Sequence, residues 1–96
     1  MNRQEVVVKA DVTISWKKQP PNYRIYVGNE LFTERTWIWQ DRYLEEMLTI
    51  YAPPGEYNLR WEIVPPFKGK ITVSNPRVEY GRPGTHITEE LQLRIP

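Results

Sequence analysis

A chain of 96 residues with 13 Lys and Arg against 12 Asp and Glu is one small domain close to neutrality. The absence of cysteine excludes a disulfide framework, a thiolate metal site and a cysteine nucleophile. A net charge of +1 argues against nucleic acid held by bulk charge, and no run approaches the ~20 apolar residues of a membrane span. The N-terminal MNRQEVVVKADV lacks a signal-peptide layout, so the expectation is a soluble chain without a membrane partner.

Val, Ile and Thr make up 23 residues and Trp plus Tyr another 10, whereas Ala occurs only at Ala10 and Ala52. These proportions favour pleated, half-buried surfaces over helices. Residues 5–16, EVVVKADVTISW, place Val6, Val8, Ala10, Val12, Ile14 and Trp16 on every even position. Period 2 over a dozen residues is the mark of a long strand with one buried face. Lys17 to Asn22, with Pro20-Pro21, is a connection. Tyr23 to Val27 alternates again, and Gly28-Asn29 suits a tight hairpin turn into a return strand over 30–34.

Thr36-Trp37-Ile38-Trp39 reads as a further β-type run. Residues 41–51, DRYLEEMLTIY, fit both periods; the reading favoured is a strand over 46–52 preceded by a helical turn at 41–45. Ala52-Pro53-Pro54-Gly55 is a turn. In the next strand Tyr57, Leu59, Trp61 and Ile63 share a face, and Pro65 to Gly69 closes it. Ile71 and Val73 mark one short strand, and Val78 and Tyr80 another after Asn75-Pro76. Gly81-Arg82-Pro83-Gly84 is a loop, after which Leu91, Leu93 and Ile95 alternate.

Eight or nine short strands separated by turn chemistry predict a single-domain antiparallel β-sandwich or jelly roll, with residues 1–80 as its core. Its interior is expected to hold Val8, Val12, Ile14, Tyr57, Leu59, Trp61 and Ile63. The segment 81–96 belongs to the same domain in one of two ways. It is an edge strand paired with the N-terminal strand, or an arm whose Leu91, Leu93 and Ile95 fill pockets on a neighbouring subunit.

Catalytic constellations are missing. The single histidine, His86, and the two serines, Ser15 and Ser74, have no hydrolase-like setting. Glu45-Glu46 and Glu89-Glu90 are adjacent pairs that point to opposite faces of a strand, and read as solvated strand ends. Asp11 and Asp41 with one histidine give no metal-ligand spacing, and no phosphate-loop pattern occurs. The expectation is a non-enzymatic protein without cofactor or metal.

The aromatic residues carry the binding candidates. Trp37 and Trp39 share a face on a strand, with Ile38 opposite. If the indoles face inward they are core; if Ile38 does, Trp37, Trp39 and nearby Tyr43 form a platform for a partner or a glycan. Charge is also blocked along the chain: +3 over residues 1–29, −4 over 30–62, +3 over 63–88 and −1 over the remainder. Such blocks either intersperse on folding or form complementary patches between copies.

The stretch Arg24 to Thr33, then Trp37-Ile38-Trp39, then Pro54-Gly55-Glu56-Tyr57-Asn58-Leu59-Arg60-Trp61-Glu62 resembles small β-sandwich proteins of bacteriophage structural modules. These are similar to jelly-roll modules of the carbohydrate-binding type, and the likeness spans roughly residues 12–80. It implies a virion component, such as a tail, fibre-attachment or capsid-decoration protein, with other virion proteins or copies of itself as partners. A compact, cysteine-free β domain with aromatic strands would also suit a soluble adhesin or a carbohydrate-binding, lectin-like module using surface Trp and Tyr. The calcium-dependent relatives carry Asp and Asn ligands where this chain has Phe67-Lys68-Gly69-Lys70-Ile71, which speaks against calcium here.

Overall fold

The alternating N-terminal run forms one strand, β1 (Gln4–Ser15), in which Val6, Val8, Ala10, Val12 and Ile14 are all buried while the intervening residues face outward. The structure is a computed structural model describing residues 3–39 and 42–96. After β1 come β2 (Asn22–Val27), β3 (Glu30–Thr36), β4 (Leu44–Ala52), β5 (Gly55–Ile63), β6 (Lys70–Tyr80), β7 (His86–Ile87) and β8 (Gln92–Ile95). No helix occurs among the described residues.

All pairings are antiparallel. One sheet has the order β4-β1-β6 and the other β3-β2-β5-β8-β7. They pack as a β-sandwich, as the alternation predicts. One sheet contributes the even residues of β1 with Leu48, Ile50 and Ala52; the other contributes Tyr23, Ile25, Leu59, Trp61, Leu93 and Ile95. Tyr57 and Ile63, expected in the core, are partly buried against it. Between β2 and β3, Gly28 takes the first turn position with φ 62°, as a two-residue type II′ hairpin requires.

Four expectations about element bounds are corrected. The β-type run expected at Thr36 to Trp39 is not a strand: β3, expected over 30–34, continues to Thr36, and the chain then turns inward, with the Trp37 amide donating to the Pro21 carbonyl at 2.9 Å and its indole fully buried. The helical turn expected at 41–45 is not formed at Arg42 to Glu45, and Asp41 lies outside the described residues. Leu44 and Glu45 instead pair with Val12 and Asp11, which satisfies their backbone in the ladder. The two short strands around Asn75-Pro76 are one strand, β6. Register shifts between Val7 and Val8 and between Lys9 and Asp11 absorb the proline, and Asn75 takes φ 52°.

The fourth correction concerns the C-terminus. β8 does not pair with β1, nor is it an arm. It lies inside the five-stranded sheet between β5 and β7, with Leu93 and Ile95 buried in the chain's own core. Leu91 precedes the strand at φ 67°, partly buried, and its carbonyl accepts from the Leu59 amide at 2.9 Å. The physical reason is β5: the backbone groups of residues 55–58 need a ladder partner on that side, and residues 92–95 supply it within the same chain.

Candidate functional site

The registers bring three loops to one end of the sandwich. Ser15 pairs with Lys70, Val12 with Leu44, Asn22 with Thr36 and Tyr23 with Ile63. The connections 16–21, 37–43 and 64–69 therefore gather at that end. A cleft of about 810 Å³ opens there, lined by residues 15–19 and 66–70. Its walls include Trp16 and Phe67 and the four lysines Lys17, Lys18, Lys68 and Lys70, with no acidic side chain. None of these lysines makes an ion pair among the described residues.

The sequence candidates lie beside this cleft, and of the two readings open for them, core or platform, the platform is not formed. Trp37 is fully buried, Trp39 is 37% exposed and Tyr43 is 68% exposed. The two indoles meet edge to face, with centroids 5.3 Å apart and planes at 76°. A flat pair needs both residues on one strand face, and neither belongs to a strand. Trp39 is instead held by its backbone: Trp16 Nε1 donates to the Trp39 carbonyl at 2.7 Å. Trp16 thus lines the cleft and ties the 37–39 segment to the end of β1.

Beneath the aromatic cluster lies a feature the sequence reading misplaced. Glu46 is not a solvated strand end; it points inward and is 1% exposed. Arg35 from the opposite sheet reaches over it, with Nη1 2.5 Å from Oε1. The Tyr23 hydroxyl donates to the same oxygen at 3.4 Å, and the Tyr23 ring stands edge-on to Trp37 at 6.1 Å. Burial, followed by the Glu46 charge, pushes the Tyr23 hydroxyl up to about 12 from the ordinary 10.0. Glu46 Oε2 and Trp37 Nε1 are both buried without a partner among the described residues. Strict alternation from Leu48 to Ile50 was the signal, since it also carries residue 46 inward.

No family model matches the chain, and no curated protein or solved structure matches it significantly.

His86 is exposed on β7, with Nδ1 3.1 Å from the Gly84 carbonyl. Among the described residues no three His, Asp or Glu side chains gather as a metal-holding group. The outer face of the three-stranded sheet is a solvated lattice around Lys9 and Arg77, which pair with Asp11, Glu45 and Glu79. Beyond that lattice the same face turns apolar at Met47, Tyr51 and Tyr80, each more than half exposed. In the sequence the cleft lysines stand in two separate connections, 17–22 and 65–70, the second of which speaks against calcium. The signal was there: both loops read as an aromatic residue followed by lysines, Trp16-Lys17-Lys18 and Phe67-Lys68-Gly69-Lys70.

Proposed function

We propose that this chain is a non-enzymatic structural subunit that assembles by protein–protein contact, through strand addition at the free edge of β4. The supporting observation is a comparison of the four sheet edges. β7 has two residues. β6 carries Pro76 and two register shifts. β3 carries a register shift at its pairing with β2 and the charged Glu30, Glu34 and Arg35. Short length, proline, bulges and charge are the usual means of blocking edge pairing. β4 has nine residues, no Pro, Gly or Lys, and an unshifted register along β1. Its two carboxylates stand together near its start, Glu45 paired with Lys9 and Arg77 on the outer face and the inward Glu46 tied back to Arg35.

The occupant that fits is a second copy. Antiparallel pairing of two β4 strands about a two-fold axis at Thr49 sets Met47 opposite Tyr51 of the other copy, twice, and Leu48 opposite Ile50. No like charges face each other, which such pairing requires. Met47 and Tyr51 are 56% and 58% exposed in the single chain, and a thioether beside an aromatic ring is a favourable contact. Leu31 and Phe32 extend the apolar surface around a hollow of about 460 Å³ shared with Ile50 and Tyr51. The virion setting rests on the resemblance of residues 12–80 to phage structural modules. The glycan reading has no comparable support, because the flat indole pair it needs is not formed.

Sedimentation across a concentration series tests the contact. The wild-type chain should pass from monomer to dimer. Thr49→Lys, which sets two lysines opposite each other at the axis, should stay monomeric with an unchanged circular dichroism spectrum. A wild-type chain that remains monomeric at every concentration overturns the proposal. Mass spectrometry of purified phage particles tests the virion setting separately.

A further inference from the structure

We infer that the lysine cleft between residues 15–19 and 66–70 binds single-stranded nucleic acid, with phosphates on Lys17, Lys18, Lys68 and Lys70 and a base against Trp16 or Phe67. The overall charge of +1 conceals this because charge is segregated in space. The basic blocks 1–29 and 63–88 are far apart in sequence, yet the pairing of Ser15 with Lys70 brings their loops together. Among the described residues no acidic side chain pairs with the cleft lysines; the ion pairs run instead to Lys9, Arg24, Arg35, Arg60 and Arg77. The cleft lysines are thus left available for an external anion.

The chemistry of the walls narrows that anion. A volume of about 810 Å³ falls within the range of small-molecule and oligomer sites. Lysine is a point-charge donor that suits phosphate or sulfate oxygens without demanding bidentate geometry. A neutral glycan is disfavoured, because no carboxylate lines the cleft to accept from sugar hydroxyls. A sulfated glycan would also use the lysines, but its sugar rings have no flat π-face to stack on the aromatic walls. Single-stranded nucleic acid uses both: a basic groove follows the backbone while aromatic rings stack the bases, with little sequence preference. The two loops offer such a groove, each contributing one ring and two lysines. Gly69 keeps the floor low, since a Cβ there would come within 2.9 Å of the Ser15 carbonyl oxygen.

Fluorescence anisotropy of a labelled twelve-residue oligothymidylate, titrated with the full-length chain, tests the inference. Binding should weaken about 50-fold between 50 and 200 mM salt if four phosphates are neutralised on a single strand. The double variant Lys18→Glu/Lys68→Glu should lose affinity at least about tenfold, because two phosphate contacts become repulsions. Phe67→Leu, which keeps apolar bulk but removes the ring, should weaken binding by a smaller factor without changing the salt slope. Trp16 is left intact, since its indole also secures Trp39. No binding of the oligonucleotide at 50 mM salt overturns the inference. So does equal affinity of the double-lysine variant, or binding confined to a heparin hexasaccharide. The Thr49→Lys chain should bind as the wild type does, which separates this outcome from that of the β4 contact.

Discussion

Arg35 and Glu46 belong to different sheets, and their side chains close to 2.5 Å across the sandwich between β3 and β4. Glu46 is shut away from water, while Arg35 keeps part of its guanidinium in solvent. A carboxylate taken out of water is costly unless a charge and hydrogen bonds replace its hydration. Arg35 and the Tyr23 hydroxyl supply that replacement at one oxygen. The pair joins the two sheet edges on one side of the molecule.

Removing one partner should therefore hurt more than removing both. Arg35→Met strands the Glu46 carboxylate and should destabilise the fold by about 3 kcal/mol, the low end of the range for a broken buried pair because Arg35 is partly solvated. Arg35→Met/Glu46→Leu replaces the pair by apolar packing and should recover most of that loss. Urea unfolding of the three proteins measures both. A double variant no more stable than the single one would count against the ion pair as the source of the loss.

The raised Tyr23 hydroxyl makes stability depend on alkaline pH. Its folded value of about 12 lies above the ordinary 10.0, so the folded chain holds the proton where the unfolded chain has released it. Its contribution is fully present below about pH 10 and is lost as pH climbs towards about 12. Tyr51 shifts in the same direction through its hydrogen bond to Glu5, so total stability alone does not isolate Tyr23. The comparison that does is with Tyr23→Phe: its unfolding midpoint should fall less steeply than the wild type's across that window. Parallel curves would place the loss elsewhere.

Gly69 offers a test of how the end loops are seated. The Ser15 carbonyl oxygen sits 2.9 Å from where a Cβ would stand, with Ile14 and Ile63 side chains at 3.5 and 3.6 Å. The nearest obstacle is backbone of β1, which moves only if the strand end moves. Gly69→Ala should cost about 1–3 kcal/mol, the range for forcing extra atoms into a packed site. Thermal unfolding gives the value, and a neutral result would mean that the loop 64–69 shifts freely.

The sequence carries the fold well wherever one face of a strand is continuous. The even residues of β1 and the odd residues of β5 declare their buried faces, because period 2 has no helical equivalent over that length. The C-terminal alternation is equally plain, yet alternation says which face is buried and not which strand lies beside it. That choice depended on the open side of β5, a tertiary fact. Trp37 and Trp39 illustrate another limit. Their two-residue spacing implies a shared face only if the backbone stays extended, and the inward turn after Thr36 removes that premise. Glu46 was read by its charge; its place in the alternation of β4 was the better guide. The lysine cleft needed two loops about fifty positions apart to be brought together, which no local pattern contains.

The most exacting prediction concerns the segment after Gly84. Truncation there removes β7 and β8, and with them Leu93 and Ile95 from the core. Burial of two such side chains contributes about 3–6 kcal/mol. A small domain is stable by only about 5–15 kcal/mol in all. Other ties go with them. The Leu59 amide loses the Leu91 carbonyl, and Gln4 Nε2 loses the Pro96 carbonyl, which it contacts at 2.6 Å across the two ends of the chain. β5 would be left as an edge strand with half of its ladder unpaired. The truncated chain should therefore unfold, with loss of the β-type circular dichroism signal and of the protected amides of β5. If it stays folded as a monomer, β8 is dispensable to the sandwich, and its place between β5 and β7 contributes far less than its burial implies.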